Sequence, residues 1–484
     1  MRKASAVAPA LLLLVLAQGA ASAQQGAGHD DLDAGLGMGR EAAPPELAPS
    51  GTPDPDAAMA PPAFVPSEPA PPPLALPPPV AVLPPVPPTP VAPPAPPVAA
   101  PTPPPGRTLE FNIVPIAGGD SDVGIGGGEV ADLARLDPRY RPYRWKLTSE
   151  AFITFSTLNG QLISPFQDYS LTLTLPDLTS SRRLRLEIRP AFTNERTLKF
   201  YGIGNATPLP PPGVPIADTE YQRIHPTLSI EARYRFYKRF YLLGGSVYTQ
   251  NWLVVPPDGL LARAQASPSA EIREIVGSFA PHGVELLEGG IQYDSRDNET
   301  VTRRGQFHTA VIRVSPRVGT ALPYSYERLN LTARFYRTPV HNVTLLFRVV
   351  GDTLLGDPPF YELARFDETP AIGGSKAVRG VPAQRYYGKV KLFGNAEVRS
   401  EILNFSVHHK RMVLGAALFA DGGRSWTELG RINPALDGTG LGLKYGLGGG
   451  LRLQEGQTFI VRGDIAWSPD ATPVGAYFAA GEVF

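Results

Sequence analysis

The sequence predicts an all-β protein, a closed antiparallel transmembrane β-barrel of about sixteen strands preceded by a disordered proline-rich segment. Three observations carry this expectation. From Arg107 to the C-terminus apolar and polar residues alternate with period two, the repeat of a strand with one wet face and one apolar face. After the first 23 residues no window is long and apolar enough for a membrane-spanning helix, so any part that crosses a bilayer must be β. About half of the 55 prolines fall between Pro44 and Pro105, so the overall composition averages two unlike regions.

Composition also narrows the function. The 484 residues include no cysteine, which excludes a disulfide scaffold, a thiolate zinc site, a thiol nucleophile and a lipid anchor on cysteine. Lys+Arg and Asp+Glu each number 45, and a formal charge of zero gives no drive toward nucleic acid, which is not expected as a partner.

Residues 1–23 read as an export signal, with Arg2 and Lys3 as the basic end, Leu11 to Leu16 as the apolar run and Ala21-Ser22-Ala23 as the cleavage site. The mature chain is expected to begin at Gln24. Residues 24–106 then form a Pro/Ala-rich tether, with Pro71-Pro72-Pro73 and Pro77-Pro78-Pro79, no Lys or Arg between Arg40 and Arg107, and scarcely an aromatic beyond Phe64. Such a segment buries no core and is expected to stay solvated in polyproline II conformation. Fully extended at ~3.1 Å per residue, its proline-rich part reaches on the order of 190 Å. It reads either as a periplasmic spacer that meets a partner or the cell wall, or as a dispensable linker.

Residues 107–484 are expected to be the barrel. In Arg183-Leu184-Arg185-Leu186-Glu187-Ile188-Arg189 three aliphatic residues share one face and four charges the other. Tyr169, Leu171, Leu173 and Leu175 alternate with Ser170, Thr172 and Thr174, and Thr227 to Phe236 repeats the pattern. Segments such as Tyr221 to Phe236 are long enough to cross a membrane obliquely, which a sandwich strand of about five or six residues is not. Sixteen candidate strands run from 109–117 to 474–484. Long connections at 194–221, 253–283 and 354–385 belong outside the cell, and tight turns at Tyr237-Lys238 and Pro339-Val340 in the periplasm.

Several segments together resemble one family, the bacterial surface antigen barrels to which BamA and TamA belong. Ile372-Gly373-Gly374-Ser375-Lys376-Ala377-Val378-Arg379-Gly380 is similar to the family's long-loop motif, a glycine pair followed by Val-Arg-Gly. Phe419-Ala420-Asp421-Gly422-Gly423 resembles its Phe-x-Asp-x-Gly strand motif, and the two stand in the family's order. Phe200 to Asn205, Tyr293 to Asn298, Gly446 to Arg452 and the terminal Phe484 are further family-like segments, so the resemblance covers most of residues 107–484. It implies that Arg379 folds back into the lumen and pairs with Asp421, locking the loop, and that Phe484 ends a C-terminal assembly signal read by the outer-membrane assembly machinery. A fixed cation suits a loop that plugs a polar lumen, because a guanidinium can bind a carboxylate through two hydrogen bonds.

Two features depart from the pattern. The proline-rich tether stands where inserting and secreting members carry periplasmic POTRA domains, and Glu482 sits third from the end, where the assembly signal usually has an apolar residue. The expected location is the cell outer membrane, with its lipid as one partner. The expected function is insertion or translocation of a protein cargo, with a periplasmic partner recruited through the tether. A transport or structural barrel is the alternative, and a lumenal enzyme a third. No cofactor or metal is expected. Gly124 to Gly128 lacks the Lys-Ser/Thr ending of a phosphate loop and reads as a strand, and His408-His409 would point to opposite faces of one. Spacing reveals no Ser-His pair of the kind a lumenal enzyme needs, so catalysis is not expected.

Overall fold

The computed structural model describes residues 109–484 apart from 137–142, 159, 177, 180–182, 209–214, 367–368, 371, 408–409, 456–458, 471–473 and 481–484. The export signal, the tether, His408-His409, Glu482 and Phe484 lie outside the described residues. The barrel wall consists of sixteen antiparallel strands in chain order. They are β1 (Leu109–Asp120), β2 (Gly124–Arg135), β3 (Trp145–Leu158), β4 (Phe166–Leu175), β5 (Leu184–Lys199), β6 (Glu220–Tyr237), β7 (Phe240–Val254) and β8 (His282–Asp294). The second half comprises β9 (Gly305–Ser315), β10 (Ser325–Val340), β11 (Val343–Asp357), β12 (Val390–Val407), β13 (Lys410–Trp426), β14 (Lys444–Glu455), β15 (Phe459–Trp467) and β16 (Gly475–Ala480). Each strand pairs with its neighbours in sequence, and β16 returns to β1.

The alternation has the predicted physical meaning. Along β11, Leu346, Arg348, Val350, Asp352 and Leu354 are buried inward while Leu345, Phe347 and Leu355 are exposed outward. Both charges thus face inward, beside aliphatics buried there, while the outward residues named are all apolar, as a lipid-facing surface requires. Near the short-turn end the outward face carries a chain of rings: Phe240 lies 4.9 Å from Tyr293, His308 5.0 Å from Phe335, and Phe335 6.4 Å from Phe347. Rings of this kind sit where an apolar body meets a wet headgroup layer.

The connections alternate in length. At one end lie short links such as 238–239 and 341–342, and at the other the longer ones at 200–219, 255–281, 358–389 and 427–443. The long links fold over their end of the barrel around a cluster that includes Phe200, Tyr221, Leu261, Val276, Tyr326, Phe360, Tyr361 and Tyr387. Two short helices, α1 (Leu260–Gln265) and α2 (Ala270–Val276), build part of this cap, and α3 (Pro434–Asp437) follows in the 427–443 link.

Some boundaries differ from the sequence reading. β5 runs on to Lys199, because a register shift between Glu195 and Leu198 lets the strand continue past the point where its alternation breaks. The tight turns fall at 238–239 and 341–342 rather than at Tyr237-Lys238 and Pro339-Val340. In the second case a register shift between Arg337 and Val340 absorbs the proline, which has no N–H to give to the ladder. Gly124 to Gly128 lie in β2, as expected of a strand.

The outward position of Leu331 gives a direct check, because a charge on the lipid face at mid-depth costs about 2–4 kcal/mol. Leu331→Arg is expected to destabilise the folded protein by that amount in lipid vesicles, measured by urea titration, while Leu331→Phe stays near neutral. Equal stability of the two variants would place this face away from lipid.

Candidate functional site

The 358–389 connection, the longest among the described residues, turns inward from a 3-10 turn at Phe360–Ala364 and descends into the lumen. Its tip is held by packing: Ile372, Ala377, Val378, Val381 and Tyr386 are fully buried and cluster with Val350 of β11 and Phe393 of β12. Ile372 adopts a φ of 42°, unfavourable for a β-branched residue, and Gly373 and Gly374 follow at 139° and 85°. The chain reverses there.

Arg379 lies at the centre of the lumen with no exposed surface. Its Nε donates to Asp421 Oδ2 at 2.7 Å and its Nη2 to Asp421 Oδ1 at 3.1 Å, a bidentate fork, and its backbone N–H donates to the same carboxylate at 3.1 Å. Nη1 donates to Glu397 Oε2 at 3.0 Å and to Asp464 Oδ2 at 3.2 Å. The guanidinium carbon sits 3.3 Å from the centroid of the Phe419 ring, whose π face favours a cation. Phe419, Asp421 and Gly423 alternate along β13 and so share its inner face. A Cβ at Gly423 would stand 2.7 Å from Ile372 Cδ1, so the bare position admits the loop.

The three carboxylates are themselves held. Asn395 Nδ2 donates at 2.7 Å to Asp421 Oδ1 and at 2.7 Å to the carbonyl of Ala377 in the loop. Arg399 Nε donates to Glu397 Oε1 at 2.7 Å, Arg462 Nη1 to Asp464 Oδ2 at 2.6 Å, and Arg452 pairs with both Glu397 and Asp464. The sequence reading named Arg379 and Asp421 but neither Glu397, Asp464 nor Asn395. A signal was present: Asn395 and Glu397 are two residues apart on β12, as Arg462 and Asp464 are on β15, and alternation turns each pair inward.

Close approach of the loop backbone to the wall depends on Gly446 of β14, where a Cβ would lie 1.8 Å from the Arg379 carbonyl oxygen. Gly380 itself has a φ of +90° and donates its N–H to Tyr477 Oη of β16 at 2.8 Å. Ala383 N donates to Asp122 Oδ2 at 3.0 Å in the β1–β2 turn. The loop therefore touches β16 and the turn that follows β1, on either side of the closing seam.

The foot of the loop has its own ion pairs. Glu362 accepts from Arg328 Nη2 at 2.8 Å and stands 3.9 Å from Arg223 Nη2, while Arg365 pairs with Glu195. Burial pushes the Glu362 carboxyl up, but Arg328 and Arg223 outweigh it and hold the group below the usual glutamate range.

Residues 285–484 match the Omp85 superfamily domain, in agreement with the resemblance carried by the loop and strand motifs. Among solved structures, BamA from Haemophilus ducreyi lacking POTRA domains 1-3 is similar, with a TM-score of 0.52 at 12% identity over 77% of this chain and 70% of that chain. CdiB from Escherichia coli aligns with a TM-score of 0.49 at 14% identity over 78% of this chain and 63% of that one. At such identities the likeness is one of fold. No curated protein matches the chain. The domain and the barrel architecture place the protein in the bacterial outer membrane.

Two outcomes are expected from this geometry. Breaking one side of a buried ion pair typically costs about 3–5 kcal/mol, less where water can enter. Arg379→Ala and Asp421→Ala are each expected to open the 358–389 segment to protease, and the double variant to do little more than Arg379→Ala alone, which already removes the contact with Asp421. Additive effects would show that the two side chains act separately. The second outcome concerns pH: a lowered carboxyl contributes stability above its unfolded pKa and loses it as pH falls through the lowered folded value. Pepsin cutting of residues 358–365 should therefore be complete only below the range where an ordinary glutamate titrates, and this step should vanish in Glu362→Gln. An unchanged acid profile in that variant would assign the step to another group.

Proposed function

We propose that this outer-membrane barrel, whose residues 285–484 are an Omp85 superfamily domain, inserts polypeptides into the outer membrane or passes them across it. The observation that carries the reading is the closing seam. β1 pairs with β2 along its whole length, Leu109 to Asp120, but with β16 only at Gly119 opposite Phe478 and Asp120 opposite Tyr477 among the described residues. Every other junction of the wall has at least six such pairs, the shortest being β15 with β16. A strand edge inside a bilayer has no water to satisfy its N–H and C=O groups, so it favours pairing with a further strand. An incoming chain in extended form supplies that strand by β-augmentation.

The loop supports the same reading. Its contacts to Tyr477 on one side of the seam and to Asp122 on the other couple the position of the lumenal loop to the closure of β1 on β16. A lumen occupied by the loop and capped at its long-link end speaks against a passive pore. In this reading Arg379 and Asp421 are the lock that sets the loop, residues 1–23 direct export, and residues 24–106 are the tether that recruits a periplasmic partner.

The chain has no native cysteine, so a designed disulfide tests the seam against a clean background. Asp120→Cys combined with Tyr477→Cys places two thiols on paired positions across it. In reconstituted vesicles the oxidised protein is expected to lose assembly of an added urea-unfolded outer-membrane barrel, and reduction of the same sample to restore it. Equal activity before and after reduction would show that the seam does not open in the reaction.

A further inference from the structure

We propose that the short-turn half of the lumen is a binding site for a small polyanion, a group carrying two or more phosphate or carboxylate oxyanions. The inference is independent of the insertion reading. A cavity of about 540 Å³ lies there, lined by Arg185, Arg233, Arg296, Arg313, Arg334 and Arg348 against four glutamates. Its size fits a small ligand. Arg296 and Glu299 belong to the 295–304 link, so the cavity lies at the short-turn end of the barrel.

The arginines divide into two kinds. Arg185 pairs with Glu187, Arg313 Nε donates to Glu288 at 2.7 Å, and Arg296 Nη2 donates to Asp294 at 2.8 Å. Arg334 and Arg233 have no carboxylate within ion-pair distance among the described residues, and both rest on aromatic rings instead. The guanidinium carbon of Arg334 is 5.0 Å from the Phe307 centroid, with that of Arg296 4.5 Å from the same ring, and that of Arg233 is 5.1 Å from the Tyr241 centroid. Arg334 Nε is buried without an acceptor. On the far side of the cavity Arg348 donates through Nε to Asn395 at 2.8 Å and through Nη2 to the Lys376 carbonyl, both uncharged acceptors.

Guanidiniums gathered round one cavity repel each other unless anions neutralise them, and Arg334 and Arg233 have no carboxylate within ion-pair distance among the described residues. Stacking on a ring fixes the plane of a guanidinium and leaves its N–H edge for an oxyanion, which the planar fork binds through two hydrogen bonds. A ligand with one anionic group meets a single arginine. Two such guanidiniums line the one cavity, so the site calls for a ligand with more than one anionic group.

Calorimetric titration of the full chain in detergent micelles, at constant ionic strength, tests the site with pyrophosphate and separately with citrate. Saturable binding is expected for at least one of them, about tenfold weaker in Arg334→Gln and in Arg233→Gln, the loss of one charge-assisted contact. Arg317→Gln, which removes an equally charged residue from the opposite end of the barrel, should leave binding unchanged. Binding of both probes assigns a general oxyanion site, of pyrophosphate alone a phosphate site, and of citrate alone a carboxylate site. Absence of saturable binding, or undiminished affinity in an Arg334→Gln protein that still shows heat-modifiable migration, would overturn the proposal, as would equal weakening in Arg317→Gln.

Discussion

A guanidinium with no exposed surface needs a cage of anions, and the barrel builds one for Arg379 from three separate strands. Glu397 comes from β12, Asp421 from β13 and Asp464 from β15. Stripping an ion of water costs several kcal/mol, more than one ordinary pair in a half-wet lumen returns. Four hydrogen bonds from the side chain and a ring beneath it change that balance. Glu397 and Asp464 are also paired with Arg399, Arg452 and Arg462, whereas Asp421 takes its hydrogen bonds from Arg379 of the loop and from the uncharged Asn395. The docked loop therefore supplies the buried Asp421 with its guanidinium.

The rest of the lumen is arranged around this anchor. The tip can descend only because Gly446 leaves room for the Arg379 carbonyl and Gly423 for Ile372. Once there, the following residues reach Tyr477 and Asp122, which flank the junction with the fewest paired residues among the described ones. At the foot, Glu362 and Arg365 fasten the same loop to β10 and β5, so the tip can shift while its base stays on the cap. The cavity lined by Arg334 lies on the other side of Phe393 and Arg348, beneath the loop.

The strands were legible because each must present one face to lipid and one to the lumen, which leaves a period-two trace in almost every segment. Their ends were less so. β5 continues to Lys199 through an irregularity that alternation cannot follow, and Pro339 stays within β10 because a register shift removes the need for its N–H. The helices Leu260–Gln265 and Ala270–Val276 left no clear trace, being too short to display a helical face and held by the cap. Arg379 and Asp421 were named through motifs rather than spacing, since 42 residues separate them. Glu397 and Asp464 belong to no motif in the sequence, and only the register across β12 to β15 brings them to the same guanidinium.

The central claim is that the Arg379 segment is held inside the lumen by Asp421, and amide hydrogen exchange reads it most directly. The N–H groups of Arg379 and Gly380 donate to Asp421 and to Tyr477, so both should exchange far more slowly than an unprotected loop amide. Asp421→Asn, which keeps the shape but removes the charge, should release them together while the amides of β12 and β13 stay protected. Rapid exchange of both amides in the unaltered protein, or protection that survives in Asp421→Asn, would contradict the account.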